Sequence, residues 1–121
     1  MLTLPESVRI YLATAPADMR KGFDGLSALV TQELGEDVYS GHLFVFVSKR
    51  GDRVKILTWE RGGFVLWYKR LERGRFRVPK LQPGQRRVAL DAGELAMLLE
   101  GVDYKRIKRP KRWQPPTRRA A

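Results

Sequence analysis

The sequence predicts an α+β fold. A single domain, with an antiparallel β-meander of about five to six strands and two packed helices, ends in a basic C-terminal tail. Three observations lead there. Short β-type runs separated by Gly- or Pro-containing turns fill residues 43–90. One segment before them and one after place apolar residues at helical spacing. A chain of 121 residues, 43% apolar and without cysteine, has the length of one domain and enough apolar surface for a core without disulfides.

From Val8 to Thr14, apolar Val8, Ile10 and Leu12 alternate with Arg9, Tyr11 and Ala13, the pattern of a half-buried strand. Ala15-Pro16-Ala17-Asp18 turns the chain, and Asp18 is the expected N-cap of a helix over Met19 to Leu34. Phe23, Leu26, Leu29, Val30 and Leu34 form its apolar stripe, and Gly35 ends it. Leu43 to Val47 is apolar at every position, so this strand is expected to be central and covered on both faces. Ser48 to Arg53 is a hairpin loop leading into a strand over Val54 to Glu60. Arg61-Gly62-Gly63 makes a second tight hairpin into Phe64 to Leu71. Shorter strands are expected at Phe76 to Val78 and Arg87 to Leu90, with a loop around Pro83-Gly84 between them. Asp91 and Glu94 have the spacing of a capping box, which opens a helix carrying Leu95, Leu98 and Leu99 and closed by Gly101. The division expected is a folded domain over 1–104 and a tail over 105–121, whose three prolines and eight cations cannot fold alone.

Charge is the most informative compositional feature. The net charge is +11, and it sits in two blocks. Residues 49–77 hold ten Lys or Arg against three acids, and residues 105–121 hold eight against none. Residues 1–48, by contrast, hold three cations and six acids. Such asymmetry points to a polyanionic partner, nucleic acid before membrane surface or acidic protein. The N-terminus lacks a basic start and a long apolar core, so no signal peptide is expected, and no apolar run approaches membrane-spanning length. The absence of cysteine fits a reducing cytoplasm.

Catalytic chemistry finds little support. His42 is the single histidine, expected as a hydrogen-bonded structural residue, and no transition-metal site of the usual His/Cys type can be assembled. Metal-ion nucleases need converging carboxylates. The candidates, Asp18, Asp24 and Asp52, read more simply as a cap, a helix flank and a turn residue. Arg20 and Lys21, beside Gly22 at a helix start, oppose the helix dipole. Either they hold an anion with the N-terminal amides, or they pair with Asp18 and Asp24.

Five segments carry a family likeness: DMRKGFDGL (18–26), SGHLFVF (40–46), RGDRVKIL (50–57) followed by Trp59, KRLERGRF (69–76) and LLEGVDY (98–104). In this order, over nearly the whole chain, they closely resemble the TnpB accessory proteins of insertion-sequence family 66, which are unrelated to the RNA-guided nuclease of the same name. The resemblance implies an accessory factor of DNA transposition, beside a separate transposase that carries the acidic catalytic residues. It brings no catalytic residues and no cofactor.

Two functions remain open at this level. The first is non-enzymatic DNA binding, at transposon ends, through phosphate contacts. It would use Arg20 and Lys21, the hairpin cations Lys49, Arg50 and Arg53, then Lys69, Arg70, Arg73, Arg75 and Arg77, and the tail cations Lys105, Arg106, Lys108, Arg109, Lys111 and Arg112. The second is a protein–protein adaptor that docks the transposase through a sheet face with exposed aromatics. Trp59, Trp67 and Tyr68 are candidates for base stacking, although aromatics on strands more often belong to the core. A metal-dependent nuclease is the remote third option.

Overall fold

β1 (Ile10–Ala13) and β2 (Leu43–Val47) lie side by side and parallel inside a five-stranded sheet. The computed structural model describes residue 5 and residues 7–102. A parallel pair needs a crossover, and the connection here carries α1 (Phe23–Gln32). β2 then runs antiparallel into β3 (Arg53–Glu60), and β3 into β4 (Gly63–Arg70). After a long loop, β5 (Arg87–Leu90) pairs antiparallel with β1, and α2 (Ala92–Glu100) follows. The sheet order is β4-β3-β2-β1-β5.

The α+β class, the single domain, the five strands and the two helices are as the sequence predicts. The sheet is mixed because β1 joins through a helical crossover, and the antiparallel meander covers β2 to β4 alone. Residues 76–78 form no strand: Arg75 makes only an isolated bridge to Val102, and the side chain of Phe76 is buried instead. The tail 105–121 lies outside the described residues, so its separate status is not visible.

Alternation splits the sheet into two cores. All five residues of β2 are buried, as expected for a strand covered on both sides. Leu43, Val45 and Val47 join Ile10, Leu12, Val54, Ile56 and Phe76 under Leu95 and Leu98 of α2. Phe44 and Phe46 face the other way, with Leu57, under Leu26 and Val30 of α1. Ile10 and Leu12 of β1 are buried in the first core, while Tyr11 and Ala13 pack, partly buried, against the second, so β1 keeps the alternation that the sequence predicts.

The helix ends follow their caps. α2 has the predicted capping box: Glu94 N–H donates to Asp91 Oδ1 at 2.7 Å, and Asp91 N–H donates to Glu94 Oε1 at 2.9 Å. α1 starts four residues later than the periodicity suggests, at Phe23, with Gly22 as N-cap and no side-chain cap. Asp18 therefore does not cap the helix; it is used one turn earlier. His42 is structural, its Nδ1 accepting the Arg9 N–H at 3.0 Å.

Candidate nucleic-acid interface

Strand direction collects the cations. The pairs Ala13↔Arg87, Val47↔Val54 and Arg53↔Arg70 lie at one end of the sheet. The loop after β1, the β2–β3 hairpin, the segment after β4 and the approach to β5 therefore meet there. They bring Arg20, Lys21, Lys49, Arg50, Arg53, Arg70, Arg73, Arg75 and Arg86 to that end. The acids in these segments are Asp18, Asp52 and Glu72.

The hairpin is the centre of this end. Ser48 N–H donates to Arg53 O, Gly51 N–H donates to Ser48 O, and Arg53 N–H donates to Ser48 Oγ. Gly51 has φ 81, the conformation the turn requires. The chain after β4 is laid on this hairpin: Leu71 N–H donates to Asp52 O and Phe76 N–H donates to Gly51 O, both at 2.8 Å. The stem of Arg75 crosses beside Gly51. Lys49, Arg50 and Arg75 thus line one cleft of about 310 Å³, floored by Leu12, Val47 and Phe76. Arg53 and Arg70 stand directly opposite each other across β3 and β4, an arrangement of like charges that costs stability. Glu72 relieves part of it through an exposed pair with Arg70 at 3.2 Å.

Arg20 and Lys21 lie on the α1 side of the same end. Arg20 donates to the Asp18 carboxylate through Nη2 at 2.8 Å and Nε at 3.1 Å, and its backbone N–H donates to Asp18 Oδ1 at 2.9 Å. The intramolecular pairing considered for Arg20 is therefore present, in a turn that precedes the helix. The Arg20 guanidinium, then its backbone N–H, hold the Asp18 carboxyl down at about 2 from its ordinary 3.8, and the pKa of Arg20 is raised in turn. A depressed folded pKa stabilises the fold above the ordinary value, and that contribution is lost as pH falls through about 2. The turn accordingly keeps this pair across the whole neutral range. A carboxyl NMR titration is expected to place Asp18 near 2, and Arg20→Gln to move it back toward 3.8. A wild-type midpoint at the ordinary value would contradict the pairing.

Lys55, which the sequence reading passed over, holds this turn in place. It lies on β3 and is 7% exposed. Its Nζ donates to Met19 O and Lys21 O, both at 2.8 Å, and stands 4.7 Å from the ring centroid of Tyr68. The available signal was a lysine inside an apolar strand, Val54-Lys55-Ile56-Leu57, where a cation needs a buried partner.

Other candidates are placed apart. Lys69 Nζ donates to Leu99 O at 2.9 Å, at the C-terminal end of α2, a favourable place for a cation. Arg77 lines a second groove with Val78, Leu90, Glu94 and Met97 on the α2 side; Val78 is shared with the hairpin cleft, which Arg77 itself does not line. Arg87, at the strand end, is committed to Leu34 O and Glu36. Arg86 is an exposed cation of this end that the sequence reading did not select. Trp59 sits edge-on to Tyr39 and Phe64, and Trp67 packs on the α2-side core. Tyr68 is the one of the three candidate stackers that is largely exposed, at 49%. Among the described residues no group of three His, Asp or Glu could hold a metal ion, and no helix is long and apolar enough to cross a membrane. The tail cations Lys105, Arg106, Lys108, Arg109, Lys111 and Arg112 lie outside the described residues.

Comparison with known proteins decides the family. The model of the IS66 Orf2 like proteins matches residues 8–109. The chain belongs to the IS66 Orf2-like family. Membership implies an accessory, transposition-associated role. Two relatives from Sinorhizobium fredii (strain NBRC 101917 / NGR234) are similar over nearly their whole length. The uncharacterized protein y4jC is 38% identical over 109 residues, 90% of this chain and 92% of the relative. The uncharacterized protein y4hO is 35% identical over 115 residues, 95% of this chain and 96% of the relative. No solved structure matches the chain.

In this IS66 Orf2-like chain the segments that carry the likeness are bonded to one another. Lys55 of RGDRVKIL holds the carbonyls of DMRKGFDGL. Gly51 and Asp52 of the same segment hold the amides of KRLERGRF. Lys69 of KRLERGRF holds Leu99, and Arg75 bridges Val102, both in LLEGVDY. The motifs thus build one scaffold, and the scaffold presents the cationic end.

Proposed function

We propose that this IS66 Orf2-like chain is a non-catalytic accessory protein of bacterial DNA transposition that binds duplex DNA, at transposon ends, through the cationic end of its sheet. The observation that carries the reading is the convergence of cations from four separate chain segments on one end, two of them opposed across β3 and β4. Such a surface lowers its own repulsion when phosphates arrive, and phosphate contacts supply affinity without requiring base readout. The tail cations add to it by charge alone.

A second reading has support in Phe23 and Tyr68, which are 47% and 49% exposed at the α1 face. On that reading the protein is an adaptor that docks the element's transposase and does not touch DNA. Binding of the purified chain to duplex DNA, without transposase, separates the two. Deleting residues 105–121 is expected to weaken binding to any duplex and to flatten the dependence of log K on log salt by up to about 7, at about 0.9 for each phosphate contact. Absence of DNA binding by the full chain at low salt would favour the adaptor, and an unchanged slope on deletion would show that the tail does not contact phosphate.

A further inference from the structure

We propose that β4 pairs edge to edge with β4 of a second copy of this chain, antiparallel about Trp67. The β3–β4 hairpin closes through the two-residue turn Arg61-Gly62, with φ 51 and 84. Glu60 and Gly63 are then the hydrogen-bonded pair beside the turn, and hydrogen-bonded pairs recur at Thr58↔Val65, Ile56↔Trp67 and Val54↔Lys69. The intervening residues, Phe64, Leu66, Tyr68 and Arg70, turn their N–H and C=O groups outward. Among the described residues nothing bonds to these groups. The edge is eight residues long, with no proline and no bulge. An edge of that kind invites another strand unless charge or a bulge blocks it.

The placement of its cations selects the occupant. Lys69 and Arg70 are the charged residues of β4, and both lie at its C-terminal end. A parallel copy would set each against itself. Antiparallel pairing must match outward group to outward group, and a two-fold axis at Trp67 does so. It sets Trp67 beside Trp67, Leu66 beside Tyr68, Val65 beside Lys69 and Phe64 beside Arg70. No like charges are opposed, and each cation faces an apolar or aromatic side chain. A two-fold axis normal to the sheet also points the two cationic ends in opposite directions. If the proposed DNA binding holds, the dimer therefore carries two separate duplexes, but the pairing itself does not depend on that reading.

Val65 provides the test. It is 45% exposed, and its neighbour within the hairpin is neutral Thr58, so changing its charge leaves the protomer's own pairs intact. The full chain, measured by sedimentation equilibrium without DNA, is expected to reach twice the 14.0 kDa of one chain as concentration rises. Val65→Lys, which opposes Lys69 of the other copy twice, is expected to weaken association by about tenfold or more. Val65→Glu is expected to preserve or tighten it, with the same circular dichroism spectrum for all three proteins. A wild-type chain that stays monomeric, or association that Val65→Lys leaves unchanged, or an equal loss with Val65→Glu, would overturn the proposal.

Discussion

Lys55→Met is expected to lower stability by about 2–4 kcal/mol, because two backbone carbonyls lose their donor at once. Methionine keeps the length and the apolar stem, so the change isolates the Nζ. Met19 O and Lys21 O would then have to find water beside a ring that now packs against a thioether. The melting temperature is expected to fall by about 10 °C. The effect should also be local. Hydrogen exchange of the amides from Arg20 to Asp24 should accelerate ahead of those in β2, because Lys55 holds the turn that leads into α1. An unchanged melting temperature would contradict the role assigned to Lys55.

Gly101→Ala is expected to be at least as damaging. Gly101 has φ 74 and ψ 173, a region that side-chain-bearing residues hardly enter. A Cβ there would stand 2.6 Å from Leu71 Cδ1 and 3.3 Å from Arg75 O. Backbone strain and overpacking together predict a loss of about 2–5 kcal/mol. The site joins three contacts: the Lys69 bond to Leu99 O, the Arg75–Val102 bridge and the Leu71 packing. Relief by outward movement of α2 would therefore break the seat of the segment after β4. Gly62→Ala serves as the control, since Gly62 also has positive φ but has nothing within 4 Å of its missing Cβ. Its cost should be near 1 kcal/mol. Equal losses at the two positions would show that conformation alone, without the close approach of Leu71, decides the effect.

Legibility in the sequence followed the range of the interaction. Asp91 and Glu94 are three residues apart, and their capping box is a local matter, so spacing predicted it. The uniformly apolar Leu43–Val47 predicted a strand covered on both faces, because burial on both sides leaves no polar alternation. The parallel seat of β1 was not legible, since pairing partners across a helical crossover leave no mark in either strand. Asp18 was misplaced because a carboxylate two residues before an arginine satisfies a turn as readily as a helix start. The cationic blocks were visible as composition, yet their sorting was not. Lys69 points to a carbonyl of α2 and Arg87 to the Leu34 carbonyl just past α1, and Arg77 lines the neighbouring groove, while Arg86 arrives from a loop whose path only tertiary structure gives. Lys55 was hidden among cations, although its position inside an apolar strand distinguishes it from them.

The cationic end is tested most directly by titrating a DNA duplex with the full chain across a range of salt concentrations, beside a variant carrying Lys49→Ala, Arg50→Ala and Arg75→Ala. These three side chains line one cleft and are not needed for either core. The account predicts an unchanged fold, weaker binding to every duplex sequence, and a log K versus log salt slope shallower by up to about 3. Binding of unchanged strength and slope in the folded variant would contradict it.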